Sequence, residues 1–210
     1  MLGDVLLIKD KHRKASAQVF EHVKAMSGDK ITIAIGGESG SGKTEIGHVL
    51  ARLLKKEGTP AKVMHIDNYY KTSPEERHEW RVAHCVDSIG YTEYDWDLIN
   101  QNMIEFREDK AEVIMPCIDL LTDQEDKLLT SFQGLRYMII EGLYAVNAEA
   151  DLRVFIDVTY HDTKKAQLAR GKEKMNDWRL SVLKREHEVI RSLRPLADLI
   201  VTPDFDVVEA

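Results

Sequence analysis

The stretch Ile31-Thr-Ile-Ala-Ile-Gly-Gly-Glu-Ser-Gly-Ser-Gly-Lys-Thr44 decides how the rest of this 210-residue chain is read. Its first five residues are apolar or β-branched and predict a buried strand. Gly36, Gly37, Gly40 and Gly42 then permit backbone conformations and close approaches that a Cβ would block. The spacing Gly37-x-x-x-x-Gly42-Lys43-Thr44, between a strand and a helix, is the P-loop pattern. Successive N–H groups along Gly37, Glu38, Ser39, Gly40, Ser41 and Gly42 can line an anion nest, to which the following helix adds its positive end. Lys43 offers a compact charge to β- and γ-phosphates, and the Thr44 hydroxyl suits Mg²⁺. The pattern implies ATP or GTP binding.

Outward from the P-loop, Lys43–Lys56 carries Ile46, Val49, Leu50, Leu53 and Leu54 on one helical stripe, and Gly58 with Pro60 stops it. Further strands are predicted at Lys62–Ile66, Glu112–Met115, Tyr137–Ile140, Arg153–Val158 and Leu199–Val201. Their nearly continuous apolar character fits a sheet covered on both faces. A helix over Lys11–Met26 would bury Val19, Phe20, Val23 and Met26. Another, capped by Asn176 or Asp177, would turn Trp178, Val182, Leu183, Val189, Ile190 and Leu193 inward and end at Pro195. The expected fold is α/β: a three-layer α/β/α P-loop NTPase with a mainly parallel five-stranded sheet and a helical lid. Residues 1–29 read as an N-terminal helical extension packed on the sheet, and 30–210 as the P-loop domain. Residues 72–97 are polar and aromatic with few helix or strand signals, so a long irregular insertion that binds the acceptor is expected there.

Composition narrows the function. The chain is 43% hydrophobic and 31% charged, an ordinary balance for a domain with a core. Lys+Arg 29 against Asp+Glu 36 gives −7, which argues against nucleic acid as a partner. No apolar run approaches the ~20 residues that span a bilayer. Met1–Lys14 carries Asp4 and Asp10, unlike a secretory or transit segment. The two cysteines, Cys85 and Cys117, form neither a disulfide framework nor a metal spacing. A cytoplasmic location, with no membrane partner, is the expectation by exclusion.

Two acids stand where chemistry is expected. Asp67, in His65-Ile-Asp-Asn-Tyr-Tyr-Lys71, comes after the second strand and would reach the crevice at the carboxyl ends of the sheet, where it can orient or deprotonate an attacking hydroxyl. A turn or N-cap role is its alternative. Glu141 ends the run Tyr137-Met-Ile-Ile140, the Walker-B position that holds Mg²⁺; the alternative is a surface carboxylate. Further along lies a basic stretch, with Lys164, Lys165, Arg170, Lys172 and Lys174 against Asp162 and Glu173, and then Arg179. It reads either as a solvated helix face or as a lid over the triphosphate, about 162–179, with Arg170 before Gly171 as the lid cation.

These residues, taken in order from Ile31 to the C-terminus, resemble the uridine kinase/phosphoribulokinase family, and its uridine kinase branch most. Asp67-Asn-Tyr-Tyr-Lys71 resembles the family's Asp-Ser-Phe-Tyr-Lys, and Tyr94-Asp95 its Phe-Asp. Pro116-Cys-Ile-Asp119 is similar to Pro-x-Tyr-Asp, Glu141-Gly142 to Glu-Gly, Phe155-Ile-Asp157 to Phe-Val-Asp, and Arg194-Pro-Leu-Ala-Asp198 to the closing helix and strand. The resemblance implies transfer of the ATP γ-phosphate, with Mg²⁺, to a hydroxyl of a small acceptor such as uridine or cytidine. It implies Asp67, Lys43 and Arg170 as catalytic, Thr44 and Glu141 as metal-holding, and Asp67, Tyr70 and Asp95 as acceptor-binding; it also allows a homo-oligomer. Trp80 and Trp96 would flank the acceptor. Four stretches depart from the pattern. Ile118 replaces the family's tyrosine, 120–127 lacks the histidine and arginine that help hold a pyrimidine, Asp95-Trp-Asp97 replaces Asp-His-Pro, and the lid's Arg-Arg-x-x-Arg-Asp is thinned to Ala169-Arg-Gly-Lys-Glu-Lys174. They leave open a kinase for another hydroxyl metabolite (a sugar, a glycerate-like acid or a vitamin precursor) or a nucleotide-dependent switch.

Overall fold

A computed structural model of the chain describes residues 3–163 and 177–210. Its sheet is assembled from β1 (Ile31–Gly37), β2 (Ala61–His65), β5 (Tyr137–Gly142), β6 (Leu152–Ile156), β7 (Leu199–Val201) and β8 (Val207–Glu209), in the spatial order β2-β5-β1-β6-β7-β8. The first five in that order run parallel, and β8 turns back antiparallel on β7. The described sheet is thus six-stranded rather than five-stranded. Val207–Glu209 is too short and too exposed to carry an apolar signal.

The segment expected as a strand at Glu112–Met115 is part of β3 (Val113–Asp119), but it lies outside this sheet. It pairs antiparallel with β4 (Gln124–Thr130) in a separate hairpin. Val113 and Met115 are buried while Ile114 between them is exposed, the pattern of a strand covered on one face only. β4, Gln-Glu-Asp-Lys-Leu-Leu-Thr, is exposed over nearly its whole length and so gives no hydrophobic periodicity to read.

Both faces of the main sheet are packed. Along β5, Tyr137 and Ile139 join one core and Met138 and Ile140 the other; along β6, Val154 and Phe155 divide the same way. This period of two is what a strand does to its side chains. On one face lie α1 (Asp10–Ala25) and α2 (Lys43–Lys56), contributing Ala15, Val19, Phe20, Val23, Ile46, Leu50 and Leu54. Met26 lies past the end of α1, partly buried against the same core. On the other face lie α4 (Trp96–Arg107) and α5 (Asp177–Leu193), contributing Ile99, Met103, Phe106, Val189, Ile190 and Leu193.

The segment 72–97 is not irregular throughout. It contains α3 (Arg77–Ala83) and short 3-10 turns at Val86–Ser88 and Tyr91–Glu93. The buried residue of α3 is Arg81, which explains its weak apolar pattern. Arg81 Nε and Nη2 donate to the Glu93 carboxylate at 2.7 and 3.0 Å, and Nη1 lies 3.6 Å from Glu186 on α5. A buried charge needs such compensation, so the network ties the segment to α5 through geometry rather than through apolar area.

Strand register fixes the height at which the sheet meets the P-loop. Ile35 of β1 and His65 of β2 both stand opposite Glu141 of β5, and Gly36 stands opposite Gly142. The carboxyl ends of three neighbouring strands therefore reach one level, directly below the loop that starts at Gly37.

Candidate active site

The donor side is built from the P-loop. Gly37 has φ +151°, and a Cβ there would stand 2.9 Å from the Ile156 carbonyl, so only glycine lets the loop leave β1 this close to β6. Ser41 N–H closes the loop onto Glu38 O at 3.1 Å, and Lys43 Nζ donates to the same carbonyl at 2.9 Å. Glu38 itself is buried and anchors the loop to its surroundings. Its carboxylate accepts from Tyr160 N–H at 2.6 Å and pairs with His187 Nδ1 on α5 at 2.7 Å. Thr163 Oγ1 adds a bond to Ser39 O at 3.0 Å. Of the expected lid, residues 164–176, with Arg170, lie outside the described residues. Arg179 sits on α5, 3.8 Å from Glu186.

Behind the loop, Thr44 Oγ1 donates to Glu141 Oε2 at 3.2 Å, and His65 Nδ1–H donates to Glu141 Oε1 at 2.5 Å. Burial pushes the Glu141 carboxyl up, but the His65 bond and charge, Lys43 and Thr44 outweigh it and hold the group below the usual range. An ionised carboxylate beside a hydroxyl at the end of a phosphate cradle is a hard-oxygen donor set, and it fits Mg²⁺ completed by water and phosphate oxygens. Among the described residues there is no cluster of three or more His, Cys, Asp or Glu that would hold a metal without such help.

Asp67 stands beside this pair with its pKa shifted in the opposite direction. Its burial and the nearby Glu141 charge raise its pKa, an effect only partly countered by Lys43, Arg77 and a hydrogen bond from Tyr94. Gly142, next to Glu141, lets the turn that carries Asp67 pack against the end of β5. A Cβ on Gly142 would lie 2.2 Å from Ile66 Cγ1 and 3.4 Å from Asp67 Oδ1. Neighbouring carboxyls with ionisation pushed apart divide the labour of a reaction: one stays charged, and the other can take a proton.

On the acceptor side, the chain ladders Tyr70 against Tyr94. Tyr94 O–H lies 3.1 Å from Asp67 Oδ1 and 2.6 Å from the Tyr70 hydroxyl, and the Arg77 guanidinium lies 3.5 Å above the Tyr70 ring. Tyr70 thus stacks with a partner inside the protein. Asp95 Oδ1 accepts the Leu98 N–H at 3.0 Å and caps α4, a helix-starting role beside the one expected. Asn68 Oδ1 accepts the Ile118 N–H at 3.1 Å, which places β3 next to the Asp67 turn. Trp96 donates to Tyr91 O at 2.6 Å, while Trp80 stacks on His84 with ring centres 4.3 Å apart.

Sequence reasoning named Asp67, Glu141, Lys43 and Thr44, and these do converge. It missed His65, Tyr94 as a partner of Asp67, Arg77 over Tyr70, and the anchoring of Glu38. His65 had one readable signal: it lies two residues before Asp67, at the end of the strand that pairs with Glu141.

The profile of the phosphoribulokinase/uridine kinase family matches residues 32–171. The uridine kinase of Mycoplasma pneumoniae is 27% identical over 183 residues, covering 81% of this chain and 84% of its own length. The bifunctional alpha-galactosidase/sucrose kinase AgaSK of Mediterraneibacter gnavus is 25% identical over 195 residues, 86% of this chain; the chain spans only 21% of that relative. Among solved structures, a possible uridine kinase from Bacillus stearothermophilus superimposes with a TM-score of 0.59 at 20% identity, over 90% of this chain and 97% of its own.

Proposed function

Because the chain belongs to the phosphoribulokinase/uridine kinase family and is thereby a phosphotransferase with an alcohol group as acceptor, we propose that it moves the γ-phosphate of ATP to the 5′-hydroxyl of a uridine- or cytidine-type nucleoside. The observation that carries this reading is the pairing of Glu141, held ionised, with Asp67, whose pKa is raised, at the rim of the P-loop. In it Lys43 and the P-loop N–H groups hold the triphosphate, and Thr44 and Glu141 hold Mg²⁺. When bound, the metal neutralises charge between the β- and γ-phosphates. Asp67 accepts the hydroxyl proton while Tyr94 fixes its carboxylate. Asp95 keeps Oδ1 for its helix and offers Oδ2 to an acceptor hydroxyl, beside Tyr70. Phosphoryl transfer asks little covalent chemistry of a protein, so such positioning is most of the catalysis.

A sugar hydroxyl is the second reading. It is favoured by Ile118 and by the absence of histidine and arginine from Leu120-Leu-Thr-Asp-Gln-Glu-Asp-Lys127, together with the similarity to a sucrose kinase over 86% of the chain. ADP release from Mg·ATP decides between them, measured with uridine, cytidine, sucrose, simple sugars, glycerate, pantothenate or no acceptor. Strong stimulation by uridine or cytidine is expected. Stimulation by a sugar alone would overturn the nucleoside assignment, and release indifferent to every acceptor would overturn both.

A further inference from the structure

Two segments outside the family-matched residues 32–171 converge on the phosphate cradle. We propose that His12, in the first turn of α1, is a positioning residue for the donor nucleotide, acting through Gly42. This rests on the donor reading above and adds to it a part of the chain that the P-loop pattern does not contain.

Gly42 holds φ +101°, and a Cβ built there would meet His12 Nε2 at 3.0 Å, His12 Cδ2 at 3.2 Å and Phe205 Cε1 at 3.6 Å. The edge of the imidazole therefore fills the space beside the Gly42 Cα. His12 is only 5% exposed, and its ring is fixed from behind. Nδ1 accepts the Lys9 N–H at 3.2 Å, which leaves Nε2 as the protonated nitrogen of the neutral ring, facing the cradle. Ser16 Oγ, 2.7 Å from His12 O and 3.1 Å from Ile46 O, joins this turn of α1 to α2.

Phe205 is the second brace. It is 2% exposed and has φ 62°, a left-handed conformation that a bulky residue keeps only when its surroundings impose it. Its own N–H bonds Thr202 O at 2.8 Å, and α1 grips the turn through Lys14–Asp206 at 2.6 Å and Val207 N–H to Gln18 Oε1 at 2.8 Å. Lys11 Nζ lies 4.1 Å over the Phe205 ring.

The cradle needs this support for a physical reason. Its grip on phosphate comes from backbone N–H groups held in one orientation, and a glycine-rich loop has little stiffness of its own. Gly42 O accepts the first α2 bond, from Ile46 N–H at 2.9 Å, so its orientation also aims the N–H groups of Lys43 and Thr44. A loop that arrives ordered loses less entropy when the ligand binds.

The test is calorimetric binding of ADP to the full chain, which needs no acceptor. His12→Ala is expected to weaken ADP binding about tenfold. His12→Gln, which can still accept the Lys9 N–H and reach Gly42, should recover part of the loss. Val23→Ala, which loosens α1 on the sheet about three turns away from His12, should bind ADP as the wild type does. If His12→Ala folds poorly, Phe205→Leu removes the other contact and should weaken ADP binding in the same direction. Wild-type affinity in His12→Ala would overturn the proposal. So would equal losses in His12→Ala and Val23→Ala that track a lowered Tm. A wild-type chain that does not bind ADP would instead remove the donor reading, and this inference with it.

Discussion

The donor and acceptor halves of this site are built on different principles. The donor half is one continuous strand–loop–helix in which the ligand-facing groups are main-chain N–H donors, and glycines are needed because those donors must approach closely. The proposed acceptor half draws on side chains from separate elements: Asp67 after β2, Arg77 on α3, Tyr94 before α4 and Ile118 in β3. A backbone site depends on spacing and tolerates little change in it. A side-chain site can be rewritten residue by residue, so chemistry and acceptor choice can vary separately on one frame.

The sharpest way to break this contrast is Asp67→Asn. If Asp67 belongs to the reaction and not to the donor cradle, turnover should fall by about a hundredfold or more while ADP binding persists. Near-normal turnover with the true acceptor would remove Asp67 as the proton acceptor. The same variant carries a stability signature. The folded protein raises the Asp67 pKa through burial and Glu141, so it favours the protonated form, and ionisation destabilises the fold as pH rises through the folded value. Asp67→Asn should therefore raise Tm more at pH 8 than at pH 4, close to the ordinary value of 3.8; an equal shift at both would show that Asp67 carries no such penalty.

Next in size is His65→Ala. His65 fixes one oxygen of Glu141, a buried carboxylate only 5% exposed, and partners of this kind commonly set metal affinity. The Mg²⁺ concentration for half-maximal activity should rise about tenfold, with the acceptor KM unmoved. An unchanged Mg²⁺ requirement would separate Glu141 from the metal. Smallest is Arg77→Ala, which removes the cation from over Tyr70 and should raise the acceptor KM roughly threefold. A change in ADP affinity instead would show the two halves to be energetically one.

Legibility in the sequence divides along the same line. The P-loop, the parallel strands and the stripe on α2 depend on neighbours within a few residues, and local periodicity reports them. β4 gave no signal because Gln124–Thr130 is exposed and has no buried face to pattern. α3 gave little because its inward residue is Arg81, whose partners Glu93 and Glu186 are far apart in sequence. Asp95 is legible in the sequence as an acid of the Tyr94-Asp95 pair, but its N-cap bond to Leu98 appears only once α4 begins at Trp96. His65, Tyr94 and Arg77 owe their importance to groups across the crevice, which a linear pattern does not contain.

The register of the three central strands works as a ruler. Tyr137 is level with both Ile31 and Ala61, and Glu141 is level with both Ile35 and His65, so the distance from the floor of the sheet to its chemistry is counted in whole residues. One residue inserted between Tyr137 and Glu141 would turn Glu141 to the opposite face and push Gly142 out of the gap beside Ile66. The same insertion in the exposed bend at Gln133 and Gly134 would leave that count intact. Length variation among relatives of this chain should therefore collect ahead of β5 and be absent within it.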